Sequence, residues 1–203
     1  MYPWKTSRFL VHGNICYMAT SSAKSSTEDH YRQRATYAYF LPIQTRWQDN
    51  NQYGHVNNAV YYSYFDTIIN HFLIRYCGLD TNTLTSSMVG FMVTTRCSFH
   101  GPIKFPQNPL DALGVEKIGR SSVHYQLALF LPKSHQKAAG LHNKHPFGGC
   151  FLDSPVLEMF ERVACATGLS AHVFVTPTTK TPISLPDDFK SCLQKLHSAA
   201  VPL

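Results

Sequence analysis

The segment Arg46–Asn58 concentrates polar side chains directly before a predicted helix. The first turn of a helix presents unpaired N–H groups and partial positive charge, and such donors stabilise the oxyanion that forms when water attacks a carbonyl. Gly54 lets the backbone approach a substrate, and an acidic or basic side chain before the helix can position the attacking water. The segment therefore fits hydrolysis at a carbonyl carbon. A capped helix behind a polar turn explains the same residues equally well.

Hydrophobic periodicity predicts the elements that would position this segment. Alternating apolar and polar residues predict a strand over Tyr37–Trp47. Apolar residues at helical spacing predict one long buried helix over Asn57–Tyr76, capped by Asn57 or Asn58 and ended by Gly78. The later elements are strands over 88–99, 111–118, 123–131 and 171–176, and a short helix that opens at Pro186.

The order of these elements predicts an α+β fold in which an antiparallel sheet wraps around one long central helix. Strands that follow one another after a single helix pair as hairpins, whereas parallel winding would need further helices. The odd-numbered residues from Val89 to Phe99 are expected on one face of their strand. We expect one domain over 37–203, a disordered leader over 1–36, and a solvated insertion at about 132–168, where the periodicity is lost.

A family signature is visible in the run Trp47-x-Asp49-x-x-x-Tyr53-Gly54-His55-Val56-Asn57-Asn58-x-x-Tyr61. It resembles the motif of the 4-hydroxybenzoyl-CoA thioesterase family of hotdog-fold proteins. The resemblance covers about 37–130 and resumes at 171–196, with support from Phe99-x-x-Pro102-Ile103 and Gly119-Arg120-Ser121-Ser122. It implies a hotdog fold, acyl-CoA substrates, dimers or tetramers with sites at the subunit interface, and no metal. It implies no cofactor beyond the coenzyme A that forms part of the substrate.

The resemblance also assigns roles to individual residues. The family motif reads Asp-x-Asp-x-x-Gly, and its second Asp, the base or nucleophile, is Asn51 here. An amide accepts no proton at neutral pH, and losing a general base costs on the order of 10²–10⁴ in rate. Asp49 either substitutes as base or caps the turn, and His55 either acts as base or packs. The candidate catalytic residues are Asp49, Asn51, Gly54, His55, Asn57 and Asn58.

Candidate substrate contacts extend beyond that motif. Arg120 offers paired donors and its neighbouring serines offer hydroxyls for coenzyme A phosphates, while a β-bulge with polar surface residues is the alternative interpretation. The candidate substrate-binding residues are Tyr53, Val56, Tyr61, Arg120, Ser121 and Ser122.

Two functions from different classes follow from these assignments. The first is an acyl-CoA thioesterase that hydrolyses the thioester of a fatty or aromatic acyl-CoA. The second is a catalytically weak hotdog protein that binds acyl-CoA or a protein partner, and Asn51 is the feature that favours it. The sequence contains no Gly-x-Ser-x-Gly motif, so a serine-esterase mechanism lacks support.

Charge and composition exclude other classes. The net charge of +6 comes from 1–27 and 131–150, which contain no acid, and the remaining residues hold 12 basic and 12 acidic side chains. We therefore expect no nucleic-acid partner. His135, His142, His145 and Cys150 lie in a stretch rich in Gly and Lys that offers no rigid frame, so we expect no metal there.

Cysteine spacing and hydropathy bear on the cellular setting. The six cysteines show no CxxC spacing, which is typical of reduced thiols in an intracellular protein. The longest apolar run, Val60–Ile74, is interrupted by polar residues, so we expect no membrane span. Residues 1–27 are rich in Ser and Thr and lack acids, which suggests a mitochondrial transit segment, with a cytoplasmic location as the alternative.

Overall fold

The computed structural model describes residues 29–82, 84–133 and 148–197. Three short 3-10 helices lie at Arg34–Thr36, Trp47–Asp49 and Pro155–Met159. The longer elements are helices α1 (Asn58–Tyr76) and α2 (Asp187–Gln194), and strands β1 (Tyr39–Pro42), β2 (Val89–Phe99), β3 (Leu110–Ile118), β4 (Ser122–Phe130), β5 (Cys150–Phe151) and β6 (Ala166–Val175).

One six-stranded sheet organises the described part of the chain. Its order is β2-β6-β4-β3-β1-β5, and every neighbouring pair is antiparallel. Helix α1 packs on one face of the sheet, which we call the inner face. This arrangement confirms the predicted α+β fold.

Helix α1 forms where its apolar stripe predicted it. The Asn57 side chain accepts a hydrogen bond from Ala59 N–H at 3.0 Å, so Asn57 caps a helix that begins at Asn58. Gly78 follows its end with φ of +70°, a left-handed conformation that suits glycine. The seven buried residues of α1 are Tyr61, Tyr64, Phe65, Ile68, Ile69, Phe72 and Leu73.

Two strands differ from their predictions. The strand predicted over Tyr37–Trp47 is shortened to β1, and Trp47 is 76% exposed in a 3-10 helix. In β2 the pairing register shifts between Met92 and Thr94. This bulge moves Phe91 to the outer face while Phe99 stays on the inner face, so the prediction of one face for all odd residues is wrong.

The outer face of the sheet is partly covered by residues 150–164. Within them, β5 pairs with β1, and Pro155–Met159 forms a 3-10 turn. The predicted solvated insertion is therefore wrong for this part of the chain, because these residues bury apolar side chains against the sheet. The cluster comprises Tyr37, Phe40, Leu110, Ala112, Ala128, Phe130, Val156, Leu157, Phe160 and Ala164. Positions 134–147, which include His135, His142 and His145, lie outside the described residues.

Arg34 connects the residues before β1 to that covering segment. Its buried guanidinium donates to the carbonyls of Leu157 and Phe160, and it pairs with Glu158 at 3.0 Å. A buried cation needs such acceptors. The prediction of disorder up to residue 36 is thus wrong for 29–36, and the rest of the predicted leader lies outside the described residues.

A disulfide joins the two helices. Cys77, the C-cap of α1, bonds to Cys192 of α2, with their Cα atoms 5.5 Å apart. The prediction of reduced thiols is wrong for this pair. Cysteine spacing did not reveal the disulfide, because the two residues are 115 positions apart in sequence and meet only in the folded chain. Cys97, Cys150 and Cys165 are free thiols. No helix among the described residues combines the length and apolarity that crossing a membrane requires.

Candidate functional site

A buried carboxylate organises the loop before α1. Asp49 is 1% exposed, and its Oδ2 accepts hydrogen bonds from Arg46 N–H and from the Tyr64 hydroxyl, both at 2.8 Å. Its Oδ1 accepts from Arg46 Nε at 3.0 Å and lies 2.9 Å from the same guanidinium's Nη2. The carboxylate therefore ties the loop to itself and to the second turn of α1.

These contacts decide between the two predicted roles of Asp49. Burial alone raises the pKa of its carboxyl, but the hydrogen bonds from Arg46 and Tyr64 outweigh burial and hold the pKa below its usual value. A carboxylate with a lowered pKa and both oxygens occupied is a poor proton acceptor. The role as cap of the turn is favoured, and the alternative role as substitute base is not.

Asn51 occupies the position of the missing base and shapes a turn. Its side-chain Oδ1 accepts from Tyr53 N–H at 2.9 Å and from His55 N–H at 3.4 Å. Its backbone N–H donates to the His55 carbonyl at 2.7 Å, and its own carbonyl accepts from Gly54 N–H at 3.1 Å. Asn51 is half-buried at the edge of this turn. Gly54 has φ of +73°, which explains the glycine by backbone conformation.

Most backbone amides expected to face a substrate are already engaged. Val56 N–H donates to the Ile103 carbonyl and Asn57 N–H donates to the Asp49 carbonyl, each at 2.8 Å. Gly54 N–H is held inside the turn by Asn51. Asn58 N–H, at the first position of α1, donates to no acceptor among the described residues. It is the open donor at the positive end of the helix dipole.

The remaining predicted site residues of the loop, the catalytic candidate His55 and the substrate-binding candidates, separate into exposed and buried ones. Tyr53 is 74% exposed, and His55 is half-buried. Val56 and Tyr61 are each 2% exposed and belong to the core. The Tyr61 hydroxyl accepts from Ile103 N–H at 3.2 Å, and burial raises the pKa of Tyr61 to about 12, so it stays neutral. Within this chain, Val56 and Tyr61 support the loop and do not form its surface.

The predicted coenzyme A contacts lie far from this loop. Gly119 N–H bonds to the Ser122 carbonyl at 2.7 Å, so Arg120 and Ser121 occupy a tight turn after β3. The site loop packs at the opposite end of β3, where Ile43 N–H donates to the Pro109 carbonyl. Nine strand residues span roughly 30 Å, so one chain does not bring the two segments together.

Sequence reasoning missed the residues that hold the loop in place. Arg46 neutralises the buried Asp49 carboxylate, and the Tyr64 hydroxyl donates a hydrogen bond to it. Ile103 forms backbone hydrogen bonds with both Val56 and Tyr61. The spacing of Arg46, three positions before Asp49, was an available signal. The pairing of Tyr64 and Ile103 with the loop depends on tertiary packing. Among the described residues, no three His, Cys, Asp or Glu side chains form a metal-binding group.

Comparisons with known proteins identify the family. Residues 45–193 match the model of the thioesterase-like superfamily, and the chain belongs to that superfamily. The PA5185 protein of Pseudomonas aeruginosa strain PAO1 is 37% identical, with a TM-score of 0.66, over 83% of this chain and 98% of that one. No protein of curated function matches this sequence.

More distant structures share the fold. A DHNA-CoA thioesterase of Staphylococcus aureus is 15% identical, with a TM-score of 0.55, over 77% of this chain and 89% of that one. A 1,4-dihydroxy-2-naphthoyl-CoA thioesterase of Synechocystis is 11% identical, with a TM-score of 0.59, over 78% and 97%. The hotdog fold is thus confirmed. Membership in the narrower 4-hydroxybenzoyl-CoA thioesterase family stays a prediction.

Proposed function

We propose that this protein binds a fatty or aromatic acyl-CoA with its thioester carbonyl at the start of α1, and hydrolyses the thioester slowly. One observation carries the proposal: Asn58 N–H, at the helix start and beside the turn of Asn51, has no acceptor in the part of the chain that the structure describes. A donor there matches the charge that develops on the carbonyl oxygen.

The proposed reaction uses water as nucleophile. Water oxygen bonds to the thioester carbon, Asn58 N–H stabilises the resulting oxyanion, and the carbon–sulfur bond then breaks. The thiolate of coenzyme A takes up a proton, and the acyl group leaves as a carboxylate. The side-chain amide of Asn51 orients the water, and solvent removes the water's proton, because an amide is no base. This route is slower than a carboxylate-assisted one by on the order of 10²–10⁴.

A second candidate is acyl-CoA binding without turnover. It is favoured by the two acidic positions of the motif: Asp49 is neutralised by Arg46, and Asn51 replaces the other acid. No free carboxylate then remains in the loop 46–58 to accept a proton. The binding geometry is the same in both candidates, so only turnover separates them.

Self-association completes the proposal. Strand β2 pairs with β6 on one side, and no described strand covers its other edge. That edge exposes apolar side chains, with Phe91 at 44%, Val93 at 59% and Phe99 at 43%. Long apolar edges of this kind pair with another chain. We propose a dimer formed across β2, or a tetramer built from it.

The turn at Arg120 fits the same assembly. If its donors hold coenzyme A phosphates, a second chain must bring them to the site, because roughly 30 Å of β3 separates the two segments within one chain. Arg120 is exposed and available for such a contact. Its substitution by Ala is then expected to weaken binding of coenzyme A esters without changing turnover of the bound ester.

A panel of short, long and aromatic acyl-CoAs tests the proposal. Release of free thiol measures hydrolysis, and titration calorimetry measures binding. Slow release with binding of the esters supports the thioesterase, and binding without release supports the second candidate. A protein that neither binds nor cleaves any ester of the panel contradicts both.

A further inference from the structure

A group of exposed aromatic side chains lies on the loops beside the start of α1, and the proposed reaction does not use it. Trp47 is 76% exposed and Tyr53 is 74% exposed, which makes them the two most exposed aromatic side chains in the described part of the chain. Phe105 is 38% exposed and lies against Trp47, with the ring centroids 5.8 Å apart. We call Trp47, Tyr53 and Phe105 the aromatic patch. Exposed apolar side chains that are grouped in this way mark a surface that contacts another molecule.

Backbone hydrogen bonds hold the aromatic patch in place. Phe105 N–H donates to the Asn50 side-chain oxygen at 3.4 Å, and Asn50 N–H donates to the Trp47 carbonyl at 3.3 Å. Tyr53 lies in the next turn of the same loop, where its N–H donates to Asn51 Oδ1 at 2.9 Å. The two loops are therefore tied to each other while the rings themselves stay exposed.

The charge around the aromatic patch is positive. Arg46 and Lys104 are both exposed beside it. The loops 43–57 and 100–109 contain one acid, Asp49, which is buried and paired with Arg46. No acid of these two loops is left to pair with Lys104, so its charge is available to a negatively charged surface.

This combination fits the surface of an anionic lipid bilayer. Trp and Tyr rings place an apolar body among the acyl chains and a polar tip among the headgroups, and both residue types concentrate at membrane–water interfaces. A cation beside them adds attraction to anionic headgroups. A second copy of this chain fits the patch less well, because a two-fold contact would set the like charges of the two Lys104 side chains against each other.

We infer that the aromatic patch docks the protein on the surface of an anionic lipid bilayer. The inference goes beyond the proposed function, since docking requires no acyl-CoA. The loop that carries Trp47 and Tyr53 continues into α1 at Asn58, so docking brings the helix start close to the lipid. Long acyl chains concentrate there, because every buried CH₂ group favours the bilayer.

Binding of the full chain to vesicles, without acyl-CoA, tests the inference. The vesicles contain equimolar phosphatidylcholine and phosphatidylserine, and co-sedimentation gives the partition coefficient. We expect Trp47→Ser to lower this coefficient by on the order of tenfold, and Trp47→Phe to retain most of it. Lys104→Gln should lower it by on the order of fivefold on these vesicles and should have little effect on pure phosphatidylcholine.

Two matched controls change residues at the other end of α1. Leu84→Ser removes an apolar side chain that is 92% exposed, and Lys195→Gln removes an exposed cation. Neither variant should change the partition coefficient. The unfolding midpoint of Trp47→Ser should stay near that of the natural protein, because the ring that it removes is mostly exposed.

Tryptophan fluorescence reports on the aromatic patch directly. Trp4 and Trp47 are the two tryptophans of the chain, so Trp4→Phe leaves Trp47 as the single reporter. Vesicles that contain brominated lipid should quench its emission.

Three outcomes would overturn the inference. They are no vesicle binding by the natural protein, binding that Trp47→Ser leaves unchanged, and Trp47 emission that shifts with protein concentration but not with lipid. The third outcome would show that a second copy covers the patch. All three leave the proposed function standing, because that function is tested by binding and cleavage of esters in the absence of vesicles.

Discussion

Replacing Asn51 by Asp restores a carboxylate where the family motif places its base. The structure predicts little disturbance, because one carboxylate oxygen can keep the contact with Tyr53 N–H that Asn51 Oδ1 makes at 2.9 Å. The site is half-buried at a turn, so the added charge costs little desolvation. We expect acyl-CoA hydrolysis to rise by about 10²-fold or more, which corresponds to a barrier lower by about 2.7 kcal/mol.

Thiol release at saturating acyl-CoA measures this effect. Asn50→Asp is the matched control, since it adds the same charge one residue earlier, where Asn50 accepts from Phe105 N–H at 3.4 Å. It should leave the rate near that of the natural protein. If Asn51→Asp and Asn50→Asp accelerate hydrolysis equally, or if neither does while the ester still binds, the assignment of position 51 as the base position is refuted.

Three further predictions concern stability and assembly. Tyr64→Phe should lower the free energy of unfolding by about 2 kcal/mol at neutral pH. Because the folded pKa of Asp49 is lowered, this difference should vanish as pH falls through that pKa in denaturant titrations. Reducing Cys77–Cys192 should lower stability by about 4–5 kcal/mol in the same assay, and Cys192→Ser should not respond to reductant. Phe91→Lys should shift sedimentation toward the 22.9 kDa monomer, and unchanged sedimentation would contradict pairing across β2.

Periodicity predicted the central helix because its apolar residues recur at helical spacing, a pattern that is contained in one local stretch of sequence. The stripe from Tyr61 to Phe72, the cap at Asn57 and the end at Gly78 are all present in the structure. The bulge at Val93 was not predictable from the sequence. The odd-numbered residues on both sides of it are apolar or small, so the sequence gives no sign that the two halves of the strand face opposite sides of the sheet. The folding of 150–164 onto the sheet was missed for another reason. Its apolar residues have no regular period, and they pack in irregular structure.

The candidate site was only partly predictable. The motif located the loop, but the sequence left the role of Asp49 open, because its partner Tyr64 lies in a separate element. The amides of the loop are indistinguishable in sequence. Only the hydrogen bonds to the Asp49 and Ile103 carbonyls show that the amides of Asn57 and Val56 are engaged. The Asn58 amide has no acceptor within the described ranges.

Removal of the Asn58 N–H tests the central proposal most directly. Proline is favoured at the first helical position, and Asn57, with φ of −61° and ψ of 137°, already has the conformation preferred before proline. Asn58→Pro should therefore keep the helix, while Asn58→Ala keeps the amide. In the Asn51→Asp background, we predict that Asn58→Pro hydrolyses acyl-CoA about 10²–10³-fold more slowly than Asn58→Ala. Equal rates in the two variants would contradict the proposal that this amide stabilises the oxyanion.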